Sequence, residues 1–320
     1  MIRVYRTSCN AWEPSAVEPA LWTLPADSLW IDLVEPTPDE DKAVERALGL
    51  SIPTRAEMAE LEASSRLYRE DGATYVTADL IRNGDDEIPS IDPVTFVLTR
   101  GPLVTIRYFE PKPFSMLADK LQRDPGVCTT GPDMFLHLME AVVDRASDIL
   151  AKNAARVEAV SNHVFSGRKT VGFEKLITKL GRANIANARI EQSLAGLARI
   201  FAFVGVDDRI DRAPDARAHL KSLSRDAASL IAHSQAVAAS INFQLSAALG
   251  LINIEQSSII KIFSVAAVAF MPPTLIASIY GMNFRHMPEL PQVWGYPAAL
   301  VAMAVAAVLP LLWFKKKGWL

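Results

Sequence analysis

The chain has 320 residues, of which 33 are basic and 36 acidic, for a formal net charge of −3. That near balance leaves no electrostatic footprint for nucleic acid, so no nucleic-acid partner is expected. Half of the residues are hydrophobic although 22% are charged, and the two kinds are segregated: charges are frequent up to Lys261 and nearly absent from there until Lys315.

Met1–Arg6 has no continuous apolar run, so no cleavable signal peptide is expected. Cys9 and Cys128 are far apart and lack companions at metal-ligand spacing, which predicts buried small hydrophobes rather than a disulfide or a metal site. Residues 1–131 read as a mixed α/β domain. Leu29–Leu33 has strand composition, and Pro38–Leu48 a helical pattern with Thr37 as its N-cap. Glu57–Ala63 reads as a second helical piece. Ala73–Leu80, Val94–Leu98 and Leu103–Arg107 are rich in β-branched and aromatic residues and are separated by Asn83-Gly84, Pro93 and Gly101-Pro102, which predicts a small sheet with helices beside it.

From Pro132 the period changes from two to between three and four. Phe135, Leu138, Val142, Ala146, Ile149, Val157, Val160 and Val164 share one helical face, with a break at Gly167–Gly172. A second helix is predicted over Phe173–Phe203, followed by a turn over Gly205–Pro214. A third begins near Ala216 and meets no proline before Pro272. It is expected to run unbroken to Tyr280, about 100 Å at 1.5 Å per residue, which makes residues 132–257 a long-helix stalk. Its small residues (Ala236, Ala238, Ala239, Ser240, Ser246, Ala247, Ala248) permit close helix approach, either within one chain or between copies about an axis.

Two stretches, Ile262–Phe284 and Leu290–Phe314, contain no Asp, Glu, Lys or Arg. Each has the roughly 20 residues that cross a hydrocarbon core. The expected division is a membrane helix over 258–284, an external loop over 285–294, a second membrane helix over 295–314 and a basic tail over 315–320. Lys261 and Lys315–Lys317 flank the outer ends, against only Arg285 in the loop, so both termini are expected in the cytoplasm. Trp294, Tyr296, Trp313 and Trp319 suit the two lipid interfaces. Pro272-Pro273 inside the first span implies a bend in a packed setting.

Tyr280-Gly281-Met282-Asn283-Phe284 ends the first span. Around it stand Ile252-Asn253-Ile254-Glu255-Gln256, Lys261-Ile262-Phe263-Ser264-Val265, Pro272-Pro273-Thr274-Leu275-Ile276-Ala277-Ser278, Met287-Pro288-Glu289-Leu290, Gly295-Tyr296-Pro297 and a lysine-rich ending with Trp319-Leu320. In these features the sequence resembles the CorA family of magnesium transporters, whose hallmark is Gly-Met-Asn after the first of two C-terminal membrane helices. The likeness is close over 251–320 and looser upstream, at Trp30-Ile31-Asp32 and Leu61–Arg66.

The resemblance implies a funnel-shaped homopentamer in a bacterial inner membrane. The first membrane helices would line the pore, and Gly281, Met282 and Asn283 would form the ion-selecting mouth. Met271 and Thr274 match pore positions of that family, and Ile260 and Phe263 match its hydrophobic constriction. The inner pore position, often asparagine in the family, is Ser257 here. Arg285-His286 stand where relatives commonly carry an acid, and Glu289 keeps one acid per copy. Glu60 and Asp226 occupy approximately the positions of acids that bind regulatory Mg²⁺ between neighbouring copies.

Physical chemistry supports the same reading. Mg²⁺ keeps its waters tightly, and the neutral oxygen of Asn283 can accept hydrogen bonds from those waters without trapping the ion. Gly281 permits a backbone turn after the helix. Ser257, Ile260, Ser264, Ala267, Met271, Thr274 and Ser278 recur every three or four residues as one uncharged stripe. Co²⁺ or Ni²⁺ passage, or a zinc transporter of the related ZntB type, is the nearest alternative. A two-span anchor for a cytoplasmic sensor is a more distant one. No phosphate loop or nucleophile motif is present, and His137, His163, His219, His233 and His286 lack partners at ligand spacing, so no enzyme is expected.

Overall fold

A computed structural model describes residues 1–6, 12–14, 17–60, 62–165, 172–283 and 287–318. Cys9, Phe284, Arg285, His286, Trp319, and the predicted break at 167–171, lie outside the described residues. The chain divides into two compact units, Met1–Leu245 and Ser246–Leu320.

The first unit is built on a seven-stranded sheet. Its strands are β1 (Ile2–Arg6), β2 (Trp12–Pro14), β3 (Ser28–Val34), β4 (Leu67–Glu70), β5 (Ala73–Arg82), β6 (Ser90–Leu98) and β7 (Leu103–Arg107), in the order β2-β1-β3-β7-β6-β5-β4. All neighbours are antiparallel except β3 and β7. The helices are α1 (Pro38–Leu48), α2 (Arg55–Met58), α3 (Ala63–Arg66), α4 (Lys112–Arg123), α5 (Gly131–Phe165), α6 (Phe173–Val204), α7 (Asp208–Asp211), α8 (Pro214–Tyr280) and α9 (Gly295–Lys316).

Strand alternation sends side chains into two cores. On one face Ile31, Leu33, Val97, Val104 and Ile106 pack with Ala43 and Val44 of α1 and with Met58. On the other, Trp30, Val94, Phe96 and Leu103 pack with Phe114 and Leu117 of α4, Phe135 and Leu138 of α5, Leu197 and Phe201 of α6, and Leu220 and Leu223 of α8. Cys128 belongs to this second core, and burial pushes its thiol up to about 12. Both faces of the sheet are thus covered, as a three-layer α/β unit requires.

The parallel β3–β7 pairing places Asp32 beside Arg107, both fully buried. Arg107 Nε and Nη2 donate to the Asp32 carboxylate at 2.9–3.1 Å, Thr105 Oγ1 donates to it at 2.6 Å, and Trp30 Nε1 donates to Thr105 Oγ1 at 2.8 Å. Arg107 Nη1 is taken up by the Phe109 carbonyl and by Glu110. A buried ion pair offsets its desolvation only when its remaining hydrogen-bonding capacity is met in this way.

α1 starts where its sequence predicts: Thr37 Oγ1 accepts from Glu40 N, and Glu40 returns a carboxylate to Thr37 N, closing a capping box. The single helix expected over Glu57–Ala63 is instead two short ones. Thr54 and Glu57 form a capping box that starts α2 early, and its last turn closes at Ala59. Arg66 Nε then donates to the Glu60 carbonyl at 2.5 Å, and the chain passes from α3 directly into β4. β1, β2, β4 and α4 have no counterpart among the expected elements.

α8 runs unbroken through Pro214–Tyr280 and crosses from the first unit into the second. Among the described residues α8 and α9 are the two helices long and apolar enough to span a membrane, and their most apolar windows are almost wholly exposed in one chain. A pair of buried soluble core helices does not fit that exposure.

Candidate functional site

The candidate site is built on the C-terminal part of α8. Pro272 and Pro273 lack N–H groups, so the carbonyls four residues earlier, Val268 and Ala269, lose their helical donors. The helix continues nonetheless, and Thr274 Oγ1 donates to the Phe270 carbonyl at 2.7 Å. With its proton used on the backbone, that hydroxyl has lone pairs to offer outward.

Covered positions of α8 in the second unit fall on one side. Val265 and Ala269 are buried, and Ala266, Pro272, Pro273 and Ile276 are half-buried. On α9, Ala299, Met303, Ala306, Ala307, Pro310 and Leu311 are half-buried and Phe314 is buried, again one stripe. Ser257, Ile260, Ser264, Ala267, Met271, Thr274 and Ser278 are all exposed. At 3.6 residues per turn the centre of this stripe lies about 150° round the helix from the Val265–Ala269 side. One chain therefore leaves its uncharged stripe open. Phe263 is also exposed, at the edge of the stripe.

α8 ends on the tripeptide. Gly281 N donates to the Ala277 carbonyl at 3.0 Å, and Met282 N donates to the Ile279 carbonyl at 3.2 Å. A β-carbon on Gly281 would stand 3.1 Å from the Ala277 oxygen, tighter than ordinary contact. Gly281, Met282 and Asn283 are exposed. The chain then returns through tight turns, with Leu290 N donating to Met287 O, Gln292 N to Glu289 O and Gly295 N to Gln292 O. A β-carbon at Gly295 would meet the Glu289 carbonyl oxygen at 2.3 Å. Glycine is therefore required there, and its close approach fixes the exposed Glu289 beside the start of α9.

Glu60 follows α2 and Asp226 lies on α8, both within the first unit. Both are exposed, and neither carboxylate has an ion-pair partner among the described residues. Asp226 does contribute to an acidic field: burial, then Glu140, Asp148 and Asp226, raise the Asp144 carboxyl above its ordinary value.

The histidine expectation needs correcting. His137, on α5, places Nδ1 3.1 Å from Glu140 Oε2, and His219, on α8, places Nε2 3.7 Å from Glu140 Oε1. His137 and Glu140 are one turn apart, a spacing visible in the sequence; His219 arrives only through the packing of α8 on α5, which spacing does not reveal. Burial, with His137 nearby, holds the His219 imidazole below the usual histidine range, while Glu140 opposes that effect.

A family model described as CorA-like Mg²⁺ transporter protein matches residues 25–316. The magnesium transport protein CorA of Pectobacterium atrosepticum is 33% identical over 293 residues, 92% of this chain and 92% of that protein. The protein of the same name from Escherichia coli K12 is 32% identical over 294 residues, again 92% of each. The complete structure of the CorA magnesium transporter from Methanocaldococcus jannaschii superposes with a TM-score of 0.79 at 19% identity, over 93% of each chain. The full-length CmaX protein superposes at 0.73 and 14% identity, over 98% of this chain and 96% of that one. These two likenesses speak for the fold alone, whereas the family model spans both the sheet unit and the two apolar helices. The chain belongs to the CorA-like Mg²⁺ transporter family.

Proposed function

We propose that this chain carries Mg²⁺ through a bacterial inner membrane, as a homopentameric channel with α8 lining the path and both termini in the cytoplasm. The observation that carries the reading is the open, uncharged stripe of α8, which lies opposite the helix's covered side and ends at the exposed Gly281-Met282-Asn283. Two membrane helices cannot enclose a water-filled path, so several copies must meet. Cyclic symmetry then repeats each stripe residue as a ring.

In this arrangement Asn283 oxygens accept hydrogen bonds from the waters of the ion at the mouth, where Glu289 adds one negative charge per copy. Neutral oxygens bind weakly enough for the ion to leave again. Thr274, Ser264 and Ser257 continue the oxygen-bearing wall, Met271 shapes it, and Ile260 with Phe263 form the narrow apolar level that stops ions by dewetting. The path then lies within 258–284, the segment 285–294 is the outer loop, 295–314 the second span, 315–320 the inner tail, and 1–131 with 132–257 the cytoplasmic part. Names of relatives, and the neutral stripe, favour Mg²⁺ over Co²⁺ or Ni²⁺ as the principal cargo.

Closure by cytoplasmic Mg²⁺ is the second part of the proposal. Glu60 and Asp226, exposed and with carboxylates that form no ion pair among the described residues, are suited to face each other between neighbouring copies. A bound Mg²⁺ would cancel their repulsion and favour the shut state.

The test is Mg²⁺ uptake into liposomes holding the purified protein. Uptake should require a membrane potential and no ATP. Asn283→Ala should lower it about tenfold or more, since one hydrogen bond to a charged species is worth about 1.5–3 kcal/mol. Equal uptake by the variant would remove Asn283 from the mouth.

A further inference from the structure

Among the described residues, one group of metal-ligating side chains lies apart from the proposed path. The ligand atoms of His137, Glu140 and His219 all lie within 4.8 Å of one another. The two imidazoles meet edge to face with centroids 5.1 Å apart. The side chains are 22%, 39% and 24% exposed, so the group is sheltered but open on one side. All three residues belong to the first unit, two from α5 and one from the first turns of α8.

The donor set discriminates between metals. Mg²⁺ takes oxygen ligands in octahedral geometry and keeps several waters, and two imidazole nitrogens offer it nothing. Two histidines and one carboxylate, with a fourth position left to water, suit Zn²⁺ and, less tightly, Co²⁺ or Ni²⁺. Zn²⁺ bonds of about 2.0–2.2 Å place neighbouring ligand atoms about 3.3 Å apart in a tetrahedron. Glu140 already stands at 3.1 and 3.7 Å from the two histidines, so small rotations of the two rings complete the site. Lys120 Nζ stands 3.8 Å from Glu140 Oε2 and occupies the cationic role in the ion's absence. Its side chain is 53% exposed and can turn out to solvent.

We propose that His137 Nδ1, His219 Nε2 and the Glu140 carboxylate form a binding site for a divalent transition-metal ion, Zn²⁺ foremost, which clasps α5 to the beginning of α8. The site is chemically distinct from the oxygen-only path and does not depend on it. α8 is also the helix that supplies the proposed pore face, so the clasp constrains the element through which closure would act.

The test uses the full chain, purified in detergent and stripped of metal, equilibrated with ZnCl₂ in millimolar MgCl₂. Wild type should retain one Zn²⁺ per chain more than His219→Gln. Losing a direct ligand should raise Kd by more than the roughly 10–100-fold that outer-shell changes cost. CoCl₂ should give the visible absorption of four-coordinate Co²⁺ in wild type and not in the variant. Both proteins should melt at the same temperature in chelator and differ once Zn²⁺ is added. Lys120→Met leaves every ligand in place, removes the competing ammonium and should tighten Zn²⁺ binding, while Asn283→Ala should leave it unchanged. Equal Zn²⁺ content in wild type and His219→Gln, displacement of Zn²⁺ by Mg²⁺, or no effect of Lys120→Met would overturn the site and leave the transport reading intact.

Discussion

Asp207 holds the turn before α7 against the sheet. Its carboxylate accepts from Thr74 Oγ1 at 2.6 Å, and from Arg209 Nε and Nη2 at 2.8 and 2.7 Å. Arg209 also donates to the Leu98 carbonyl, so three segments meet at one charge. Burial pushes the Asp207 carboxyl up, but the bonds from Arg209 and Thr74 outweigh it and hold the value at about 2. The folded value lies below the ordinary 3.8, so the stabilisation is complete above about pH 4 and lost as the pH falls toward 2. Asp207→Asn should destabilise the protein at pH 6 by about 1.5–3 kcal/mol, the worth of a hydrogen bond to a charged group. The gap between the two urea midpoints should close toward pH 2, and a gap independent of pH would contradict this account. Neither Asp207–Thr74 nor Asp32–Arg107 was legible beforehand. Asp32 and Arg107 stand in two strand-like runs, but nothing local states that β3 and β7 are parallel neighbours in the register that sets Asp32 against Thr105 and Arg107 against Val34. The tripeptide at 281–283 was legible because its position after an apolar run is itself local information.

Among the elements, α8 was the most legible. Its lack of proline before Pro272 and its apolar last part predicted one helix entering a membrane span, and the observed helix starts only two residues earlier. α5 and α6 were equally plain from their period. Short elements were not. β1 has only five residues, and β4 only four, too few for alternation to show, and both are fixed by partners elsewhere in the chain. α4 had no expected counterpart although Phe114, Leu117, Ala118 and Leu121 form an apolar face; Pro113 stands in its first turn, where proline is well tolerated. Asp226 and the stripe belong to the same helix, α8, and the proposed closure by cytoplasmic Mg²⁺ assigns Asp226 a regulatory role. Asp226→Ala should raise the internal Mg²⁺ needed to halve the flux by about tenfold, within the 1–3 kcal/mol usual for coupling between sites. Flux assays at varied internal Mg²⁺ check this, and unchanged inhibition would remove Asp226 from the regulatory role.

At the scale of the whole molecule, apolar exposure is the feature that calls for a partner. Ile260 and Met271 on the stripe and Phe263 at its edge are 65–70% exposed, and Phe270 and Leu275 are 61–70% exposed elsewhere on the same helix. In the proposed assembly, lipid covers one side of such a helix and neighbouring copies face the stripe that bears Ser257, Ser264 and Thr274, whose hydroxyls gain nothing from hydrocarbon. In the proposed channel, pore formation is a property of the assembly, and one chain supplies only a fraction of each ring. Native mass spectrometry of the protein in lipid nanodiscs measures this directly. The account predicts the mass of five chains; a protein that stays a single chain in lipid would contradict it, because no ring of Asn283 oxygens and no enclosed path could then form.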